Sequence, residues 1–386
     1  MGLSSLGAER LRLPCVRGTR QLLKEEGDII ALLLAFSGAT WVVAHLYHLE
    51  SRFSLTIYPR IALIAIGVLL GILFLWRALR LLLVVRPAYP LREILLEALA
   101  FVRGAGLLRT ATLLLCFSFF FSAVSSFKSF IPVINPYHWD GFWLEADRLL
   151  HGGSDPWRII HDVVVSLRLT WPINVLYNLW FFLVVGALFW MIVDHRRPVL
   201  RKRFMVSYAL AWIVNGCLLA LLFSSAGPCY FGRLFPGLEN PYGPLMAYLA
   251  QVSDGEPVWA VATQNYLWEL YEKNRFAIGS GISAMPSMHV SLAWLLFLTA
   301  ARIGRWLAVL AFAYSMVIVL GSVHLGWHYL VDGYLSIATT TLIWFAVCLC
   351  YADGDSRTPD RAASRESPPG EAGRSEPHQA RTALTR

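Results

Sequence analysis

Charged residues are scarce in this sequence. Only 15% of the 386 residues are Asp, Glu, Lys or Arg, whereas 57% are hydrophobic and the mean hydropathy is +0.55. Soluble domains carry about a quarter charged residues, so the composition argues against a soluble protein. The formal net charge is +8, but the basic residues stand mostly in short runs between apolar segments. That pattern is typical of membrane topology and argues against a nucleic-acid-binding face.

Cysteine is also rare, and the six that occur form no disulfide framework. Five fall in or near apolar segments or on the predicted inner side, and only Cys229 falls in a predicted outer loop. The pair Cys348 and Cys350 lies within an apolar run, which is not a metal-site spacing. A signal-peptide pattern is missing as well, because residues 1–28 are basic and mixed in character. The first apolar run, which begins at Ile29, is therefore interpreted as an uncleaved span.

Long apolar segments are abundant. A helix needs about 20 apolar residues to cross the hydrocarbon core of a bilayer. Eight segments approach this length: Ile29–Leu46, Tyr58–Trp76, Ala111–Phe130, Trp171–Val193, Phe204–Phe223, Met288–Ala301, Leu307–His324 and Tyr329–Tyr351. The sequence therefore predicts an all-α polytopic membrane protein with about eight transmembrane helices.

These segments also predict how the chain is divided. Residues 1–28 are interpreted as a basic cytoplasmic N-terminus, and residues 29–110 as two extra N-terminal helices with a cytoplasmic linker. A six-helix core follows in residues 111–351. Residues 352–386 are rich in Pro, Gly, Ser, Arg and Glu, a composition that predicts a disordered cytoplasmic tail.

The loops predict the orientation of the chain, because Lys and Arg concentrate on the cytoplasmic side of short loops. With eight spans, the basic runs of the N-terminus and of the second, fourth and sixth loops all fall on one side. Both termini are then cytoplasmic. The segments 131–170 and 224–287 and the turn around Trp327 face the other side. In the inner (plasma) membrane of a bacterium, which is the expected location, this side is the periplasm or the outside. The aromatic and charged residues of segment 131–170 predict helices in the membrane interface.

The first motif that could form part of an active site is the segment Gly279 to His289, GSGISAMPSMH. It lies directly before the sixth predicted span. Its two glycines, Gly279 and Gly281, permit backbone conformations that expose N–H groups. Pro286 suits the first turn of a helix. Ser287 and His289 would then lie at the positive end of a helix dipole, which binds phosphate readily. The alternative is an ordinary loop with a helix cap and an interfacial histidine.

The second motif is the segment Gly321 to Asp332, GSVHLGWHYLVD, between the seventh and eighth predicted spans and on the same outer side. His328 and Asp332 are four residues apart, a spacing that places them on one helical face. A carboxylate bonded to one imidazole nitrogen fixes the tautomer and leaves the other nitrogen free to attack. The alternatives are a structural His–Asp bond and, with His324, a metal-binding ladder. His324 is otherwise expected to line a pocket or to pack.

Together these residues resemble the type 2 phosphatidate phosphatase superfamily, whose motifs are Pro-Ser-x-His and a later His-x3-Asp. The segments Pro286 to His289 and His328 to Asp332 carry the resemblance, which extends from the third predicted span to the eighth. The sequence is similar in particular to the branch that contains inositol phosphorylceramide synthases, which are inositolphosphotransferases, and their bacterial relatives.

The resemblance implies a lipid phosphatase or phosphotransferase that needs no metal and no cofactor. His328 would attack phosphorus and form a phosphohistidine, Asp332 would orient the imidazole, and His289 would protonate the departing alkoxide. Ser287 and the backbone of Gly279–Gly281 would hold phosphate oxygens. The implied partners are a lipid phosphate or phosphodiester, the bilayer, and either water or a lipid or polyol hydroxyl as acceptor.

Two departures from the family pattern name further candidates. The common branch has Lys-x6-Arg-Pro before the first motif, and no such element occurs on the outer side. In the synthase-like branch a proline-rich stretch ending in Arg takes that place, and the segment Ser225 to Arg233 resembles it loosely. Arg233 is therefore the phosphate-clamp candidate. Ser322 stands where the common branch has an Arg, and Lys273 or Arg275 would have to replace that charge unless each is simply solvated.

Two other classes of function compete with an enzyme. A transporter would use the intramembrane His and Asp residues as a pathway. A catalytically silent lipid-binding homologue would keep the fold without the chemistry.

Overall fold

The chain is all-helical in the computed structural model, which describes residues 14–64, 105–194, 196–277 and 281–351 and the single positions 75, 79, 89, 92, 93 and 279. No strand occurs in these ranges. Six of the described helices are long and apolar enough to cross a membrane. The prediction of an all-α polytopic membrane protein is therefore confirmed.

Eleven helices of more than ten residues lie in the described ranges. In chain order they are α1 (Pro14–Leu46), α2 (Ala105–Ile134), α3 (Asp140–Leu150), α4 (Pro156–Ser166), α5 (Thr170–Val193), α6 (Pro198–Ile213), α7 (Gly243–Gly255), α8 (Trp259–Glu272), α9 (Met288–Ala300), α10 (Arg305–His324) and α11 (Leu330–Cys350). A π-helical segment, Val214–Leu219, and a short turn, Ala220–Leu222, extend α6.

The centre of the bundle is α9, which packs against α5, α6, α10 and α11. Small and hydroxyl-bearing residues allow these helices to approach closely. Asn215 on the extension of α6 donates to Ser291 on α9 and to Thr340 on α11, at 2.9 and 3.3 Å. A Cβ at Gly321 would lie 2.9 Å from the Ile173 side chain, so a larger residue there would displace Ile173 or push α10 away from α5. The first residues of α9 are thereby enclosed by four neighbouring helices.

The short length of α9 also places its first residues deep in the bundle. Its 13 residues span about 20 Å, less than the roughly 30 Å hydrocarbon core. Of the eight predicted spans this is the short one, and the helix begins at the predicted residue, Met288. If its C-terminus reaches one membrane surface, its N-terminus lies below the other.

One end of the bundle is held by ion pairs. Glu26 on α1 contacts Arg201 on α6 at 2.6 Å and Arg109 on α2 at 3.7 Å, and both Glu26 and Arg201 are buried. Lys202 pairs with Asp28 at 2.9 Å. These residues come from the predicted cytoplasmic N-terminus, second loop and fourth loop. The structure brings these segments to one end, while the orientation of that end in a cell stays a prediction.

Two short helices, α3 and α4, occupy the segment for which interfacial helices were predicted. They lie at the other end of the bundle, because the Asp147 carboxylate on α3 accepts the N–H groups of Leu330 and Val331 at the start of α11. This segment therefore packs at the end of the bundle where α11 begins, and Asp147 caps the first backbone N–H groups of α11.

Some predictions fall outside the described residues. The second predicted span is helical over residues 57–64, and most of its remainder lies beyond the described part of the chain, as do residues 1–13 and the C-terminal segment from residue 352. The count of eight spans and the boundaries of the predicted regions stay predictions.

Candidate active site

His328 lies in the short connection between α10 and α11. Its backbone N–H donates to the carbonyl oxygen of Ser322 at 3.1 Å, as does that of Trp327 at 3.0 Å. The ring nitrogen Nδ1 lies 2.6 Å from the carbonyl oxygen of Ala284 and 3.2 Å from Oδ2 of Asp332. Because a carbonyl oxygen only accepts hydrogen bonds, Nδ1 carries the proton. The second nitrogen, Nε2, then carries the lone pair.

The contact between His328 and Asp332 exists, but it is not made on one helical face. His328 precedes the helix, Tyr329 is the N-cap of α11, and Asp332 lies in its first turn. The Asp332 carboxylate also accepts the backbone N–H of Tyr329 at 3.2 Å. A bend at the helix start therefore joins the two side chains, because the carboxylate caps the same turn that carries the histidine.

A buried aspartate that the sequence analysis missed, Asp140 on α3, fixes the surrounding loops. Its carboxylate accepts the Ser225 hydroxyl at 2.8 Å and the backbone N–H groups of Ala226 and Gly227 at 3.0 and 2.7 Å. It also accepts the Tyr329 hydroxyl at 2.9 Å. Asp140 thus ties the loop after α6 to the residue that follows His328. No local sequence pattern signals this role, since the partners lie 85 to 189 positions away.

The second predicted catalytic histidine, His289, lies in the first turn of α9 and close to His328. The centroids of the two imidazole rings are 6.5 Å apart, with 58° between the ring planes. On α5, Tyr177 stacks on the His289 ring at a centroid distance of 4.5 Å, and Trp180 packs against it in a tilted arrangement at 4.2 Å. The Trp180 indole N–H donates to the backbone oxygen of His289 at 2.9 Å. The structure therefore brings the two histidine rings close to each other.

Both histidines line one large cavity of about 670 Å³, and so does Lys128 on α2. Lys128 is the only Lys or Arg among the described residues that line it. The sequence analysis missed this residue although a signal existed. Lys128 interrupts the apolar run Ala111–Phe130, and an ionisable residue within a span indicates a functional site by default.

The two predicted phosphate-loop glycines, Gly279 and Gly281, also line this cavity. Their φ angles are +71° and +101°, in the left-handed region that favours glycine. A Cβ at Gly281 would lie 2.7 Å from the backbone carbon of Lys128. Glycine at position 281 is therefore required for the loop to approach α2, and this approach brings the loop backbone next to the lysine.

Ser287 and Pro286 are placed differently from the expectation. Ser287 is fully buried, is the N-cap of α9, and accepts the N–H of Val290 at 3.4 Å. It does not line the cavity. Pro286 precedes the cap and is not in the first helical turn. A contact between Ser287 and phosphate stays a prediction, whereas its capping role follows directly from the geometry.

The structure does not bring the predicted basic residues to the cavity. Arg233 is exposed, donates to Asn265 at 2.9 Å and lies over the Trp268 ring at 5.4 Å. Lys273 pairs with Glu269, and Arg275 lines a separate cavity of about 420 Å³. Within the described part of the chain, the cation next to the two histidines is Lys128 and not the predicted Arg233.

His324 and Ser322 also lie off the cavity wall. His324 is the last residue of α10, its Nε2 lies 3.0 Å from the Thr170 hydroxyl, and its ring stacks on His161 at 5.5 Å. It does not share a helix with His328 and Asp332, so the ladder that a metal site would need is not formed on one face. The Ser322 hydroxyl donates to the carbonyl oxygen of Val319 at 2.7 Å. Ser322 contributes to the site through its backbone carbonyl oxygen, which accepts the N–H groups of Trp327 and His328.

The buried position of His328 has a consequence for stability. Burial lowers the pKa of His328 to about 3, whereas the unfolded residue titrates near 6.5. Between these two values the unfolded chain binds a proton that the folded chain does not, so stability is lost as the pH falls below 6.5. The expected contribution is about 1.4 kcal/mol per pH unit.

This linkage is measured by comparing thermal unfolding in detergent at pH 7 and pH 5. The loss of thermal stability on acidification is expected to be smaller in His328→Asn than in the unaltered protein, since asparagine does not titrate. The matched control is His45→Asn, because the His45 side chain is 67% exposed. The same acid sensitivity in both variants would contradict a neutral, buried His328.

Comparison with known proteins supports the resemblance of the motifs. A family model described as the PAP2 superfamily matches residues 144–349, slightly more than half of the chain. The matched range contains both motifs, and Lys128 lies outside it. Searches of curated proteins and of solved structures gave no match.

Proposed function

The chain belongs to the PAP2 superfamily, which supports phosphatase-type chemistry on lipid phosphates, and from this premise we propose that it cleaves a lipid phosphate ester through a phosphohistidine on His328. The observation that carries the proposal is the tautomer of His328. Its Nδ1–H is engaged by Ala284 and Asp332, so Nε2 is the nitrogen available in a cavity that also contains His289 and Lys128.

In the first half-reaction the lone pair of Nε2 attacks phosphorus, and the bond from phosphorus to the lipid oxygen breaks. The electron pair of that bond goes to the oxygen, which takes a proton from His289. The His328 ring becomes positively charged, and the carboxylate of Asp332, 3.2 Å from Nδ1, stabilises this charge. General acid catalysis of this kind contributes roughly 10²–10⁴-fold to the rate.

The phosphate group itself needs positive charge and N–H donors. Lys128 supplies a cation that faces the same cavity as both histidines. The backbone of Gly281 lies beside it, Gly279 lines the same cavity, and the α9 N-terminus adds its positive dipole end. Phosphoryl transfer depends mainly on positioning and charge neutralisation, so these groups account for the electrostatic part of the mechanism.

In the second half-reaction a hydroxyl oxygen attacks phosphorus, and the bond from phosphorus to Nε2 of His328 breaks with its electron pair returning to Nε2. His289, which is neutral after the first half-reaction, accepts the proton of the hydroxyl. Water as acceptor gives a phosphatase, and a lipid or polyol hydroxyl gives a phosphotransferase of the inositolphosphotransferase type. The smaller cavity of about 420 Å³ is a candidate site for a polar acceptor, because Arg52 and Arg275 line it. It adjoins the larger cavity, since Leu267, Gly281 and Ile282 line both. Both reactions use the same covalent half.

The proposal is tested with the purified full-length protein in detergent micelles containing a panel of lipid phosphates. Release of inorganic phosphate and transfer to added lipid alcohols or inositol are measured separately. Turnover of a lipid phosphate supports the proposal, and the product distinguishes hydrolysis from transfer. Uptake of a lipid phosphate by protein-containing liposomes without any product would instead support the transporter hypothesis, and binding without either would support the silent homologue.

Lys128 gives a prediction about charge. Lys128→Met is expected to lower kcat/KM for a lipid phosphate roughly 10²–10³-fold, the range found when one preorganised charge-stabilising donor is removed. Lys128→Arg should recover part of this loss, because it keeps the charge. The measurement is steady-state phosphate release in mixed micelles.

The matched control for this substitution is Lys202→Met. Lys202 lies at the opposite end of the bundle and pairs with Asp28, so its loss should change turnover less than about threefold. Equal effects of the two Lys→Met substitutions would show that Lys128 does not act on the phosphate.

A further inference from the structure

The smaller cavity, of about 420 Å³, extends from the protein surface to the interior. On its outer side it is lined by Glu272, Asn274 and Arg275, all of which are exposed. On its inner side it is lined by Tyr137 and Ile282, which are buried. Because exposed charged side chains lie outside the hydrocarbon core, the outer side of this cavity faces water.

The smaller cavity meets the larger one where the glycine loop touches α2. Gly281 lines both cavities, whereas on α2 Lys128 lines the larger one and its neighbour Ser129 lines the smaller one. A Cβ at Gly281 would lie 2.7 Å from the backbone carbon of Lys128, so the loop backbone contacts the helix at this boundary. A ligand in the smaller cavity is therefore adjacent to the cavity that contains the two histidines.

Arg52, in the turn after α1, is held in place in the wall of the smaller cavity. One N–H of Nη1 donates to the backbone oxygen of Ser129 at 3.1 Å, and one N–H of Nη2 donates to Oδ1 of Asn274. A guanidinium group has five N–H donors, so about three remain for a ligand. Because two bonds already fix the planar group, little conformational freedom is lost when the remaining donors bind an oxyanion.

Arg275 supplies a second cation to this cavity. Its side chain makes no hydrogen bond or ion pair with the described residues. Glu272 is the one acidic residue among the described residues of the cavity wall, so two cations face one carboxylate. The hydroxyl groups of Tyr137 and Ser129 already donate to backbone oxygens, at 2.8 and 2.6 Å. The two guanidinium groups are therefore the principal unused donors, and they favour an anion.

We propose that the smaller cavity is the aqueous port of the active site and binds a phosphate dianion through Arg52 and Arg275. Guanidinium groups bind phosphate oxygens with paired, charge-assisted hydrogen bonds. Two sources supply such a ligand: inorganic phosphate that leaves after hydrolysis, and a water-soluble polyol phosphate that enters as acceptor. This inference rests on the proposed function, because the transfer reaction at His328 defines both ligands.

The first arm of the experiment tests the acceptor. Full-length protein in detergent turns over a radiolabelled lipid phosphate with equal concentrations of glycerol or glycerol 3-phosphate, and the labelled transfer product is measured. An acceptor that binds through the port should give at least tenfold more transfer to glycerol 3-phosphate than to glycerol. Arg275→Gln should remove most of this preference, since one hydrogen bond between charged groups contributes about tenfold or more to binding.

The second arm uses inorganic phosphate alone as an inhibitor of hydrolysis. Saturating lipid phosphate suppresses competition at the histidines, so the inhibition that remains reports on the port. Arg52→Gln and Arg275→Gln should each raise the inhibition constant about tenfold or more. Inhibition without a preference for glycerol 3-phosphate would identify product phosphate as the ligand, whereas both effects together would identify the polyol phosphate.

Lys273→Gln is the matched control for both arms. Lys273 is an exposed cation two residues before Arg275, but it pairs with Glu269 and lines neither cavity. Its loss should change the preference and the inhibition constant less than about threefold. Equal effects of Lys273→Gln and Arg275→Gln would reduce the port to general surface charge and overturn the proposal.

Other outcomes separate this inference from the proposed function. If the unaltered protein hydrolyses a lipid phosphate but shows neither the preference nor the inhibition, the port is overturned and the phosphatase function stands. The same holds if both Arg→Gln variants keep the unaltered values. Absence of turnover of every lipid phosphate would instead remove the proposed function. Arg275 is exposed, so Arg275→Gln should fold even if Arg52→Gln does not, and the two measurements on the unaltered protein need no variant.

Discussion

His328→Asn is expected to lower turnover of a lipid phosphate by about ten-thousand-fold or more, the scale seen when a catalytic nucleophile is removed. Asparagine has no nucleophilic nitrogen in place of Nε2, so no covalent intermediate can form. The measurement is phosphate release combined with trapping of the enzyme during turnover of a radiolabelled lipid phosphate. A phosphohistidine is labile in acid and stable in base, and this label should appear in the unaltered protein and be missing from the variant.

His324 supplies the matched control for this substitution. It is a buried histidine four residues earlier in the chain, yet it contacts Thr170 and His161 and does not line the cavity. His324→Asn should therefore retain the phosphoenzyme label and most of the turnover, even if it lowers thermal stability. A label that persists in His328→Asn, or turnover lost equally in both variants, would contradict the assignment of His328 as nucleophile.

His289→Gln is expected to lower turnover of an alkyl phosphate roughly 10²–10⁴-fold, the usual contribution of a general acid. The effect should depend on the leaving group. A lipid alkoxide is strongly basic and needs a proton as it departs, whereas nitrophenolate is stable without one. In the first turnover with p-nitrophenyl phosphate, the variant should therefore release nitrophenolate almost as fast as the unaltered protein, and the phosphoenzyme should then accumulate.

Rapid mixing measures this first turnover, and His328→Asn serves as the comparison, because loss of the nucleophile must slow both substrates equally. Tyr177 and Trp180 pack on the His289 ring, and glutamine loses part of that contact. An equal loss of first-turnover rate for the alkyl and nitrophenyl phosphates would show that His289 acts only by packing or by binding phosphate, and not by giving a proton.

Several features of the fold could be predicted because they depend on local sequence. The helix α9 begins at Met288 as predicted, and α10 and α5 end at the predicted His324 and Val193. Apolar length decides these positions, since backbone groups in hydrocarbon must be satisfied within one helix. The first helix, α1, is longer than predicted and begins at Pro14, because a helix does not have to stop where its apolar stretch stops.

The partners of the site could not be predicted in the same way. Asp140 accepts the Tyr329 hydroxyl and Asp147 accepts the backbone N–H of Leu330. Both aspartates lie far from these partners in the chain, and such contacts appear only when the helices are assembled. The prediction of Arg233 as the phosphate clamp rested on a loose motif, and the structure brings Lys128 to the cavity instead. A motif gives the order of residues, whereas the distance between two segments depends on the packing between them.

By itself the sequence determined the class of the protein, the ends of most described spans, and the two motifs that contain His289, His328 and Asp332. Only the tertiary structure decided which apolar residues face a cavity and which face lipid, as Val184 and Phe182 show on one helix. The physical reason is that lipid and a protein interior are both apolar, so neither side of a membrane helix requires polar residues. Hydropathy therefore separates a span from a loop, but the rotation of the helix is set by contacts with its neighbours.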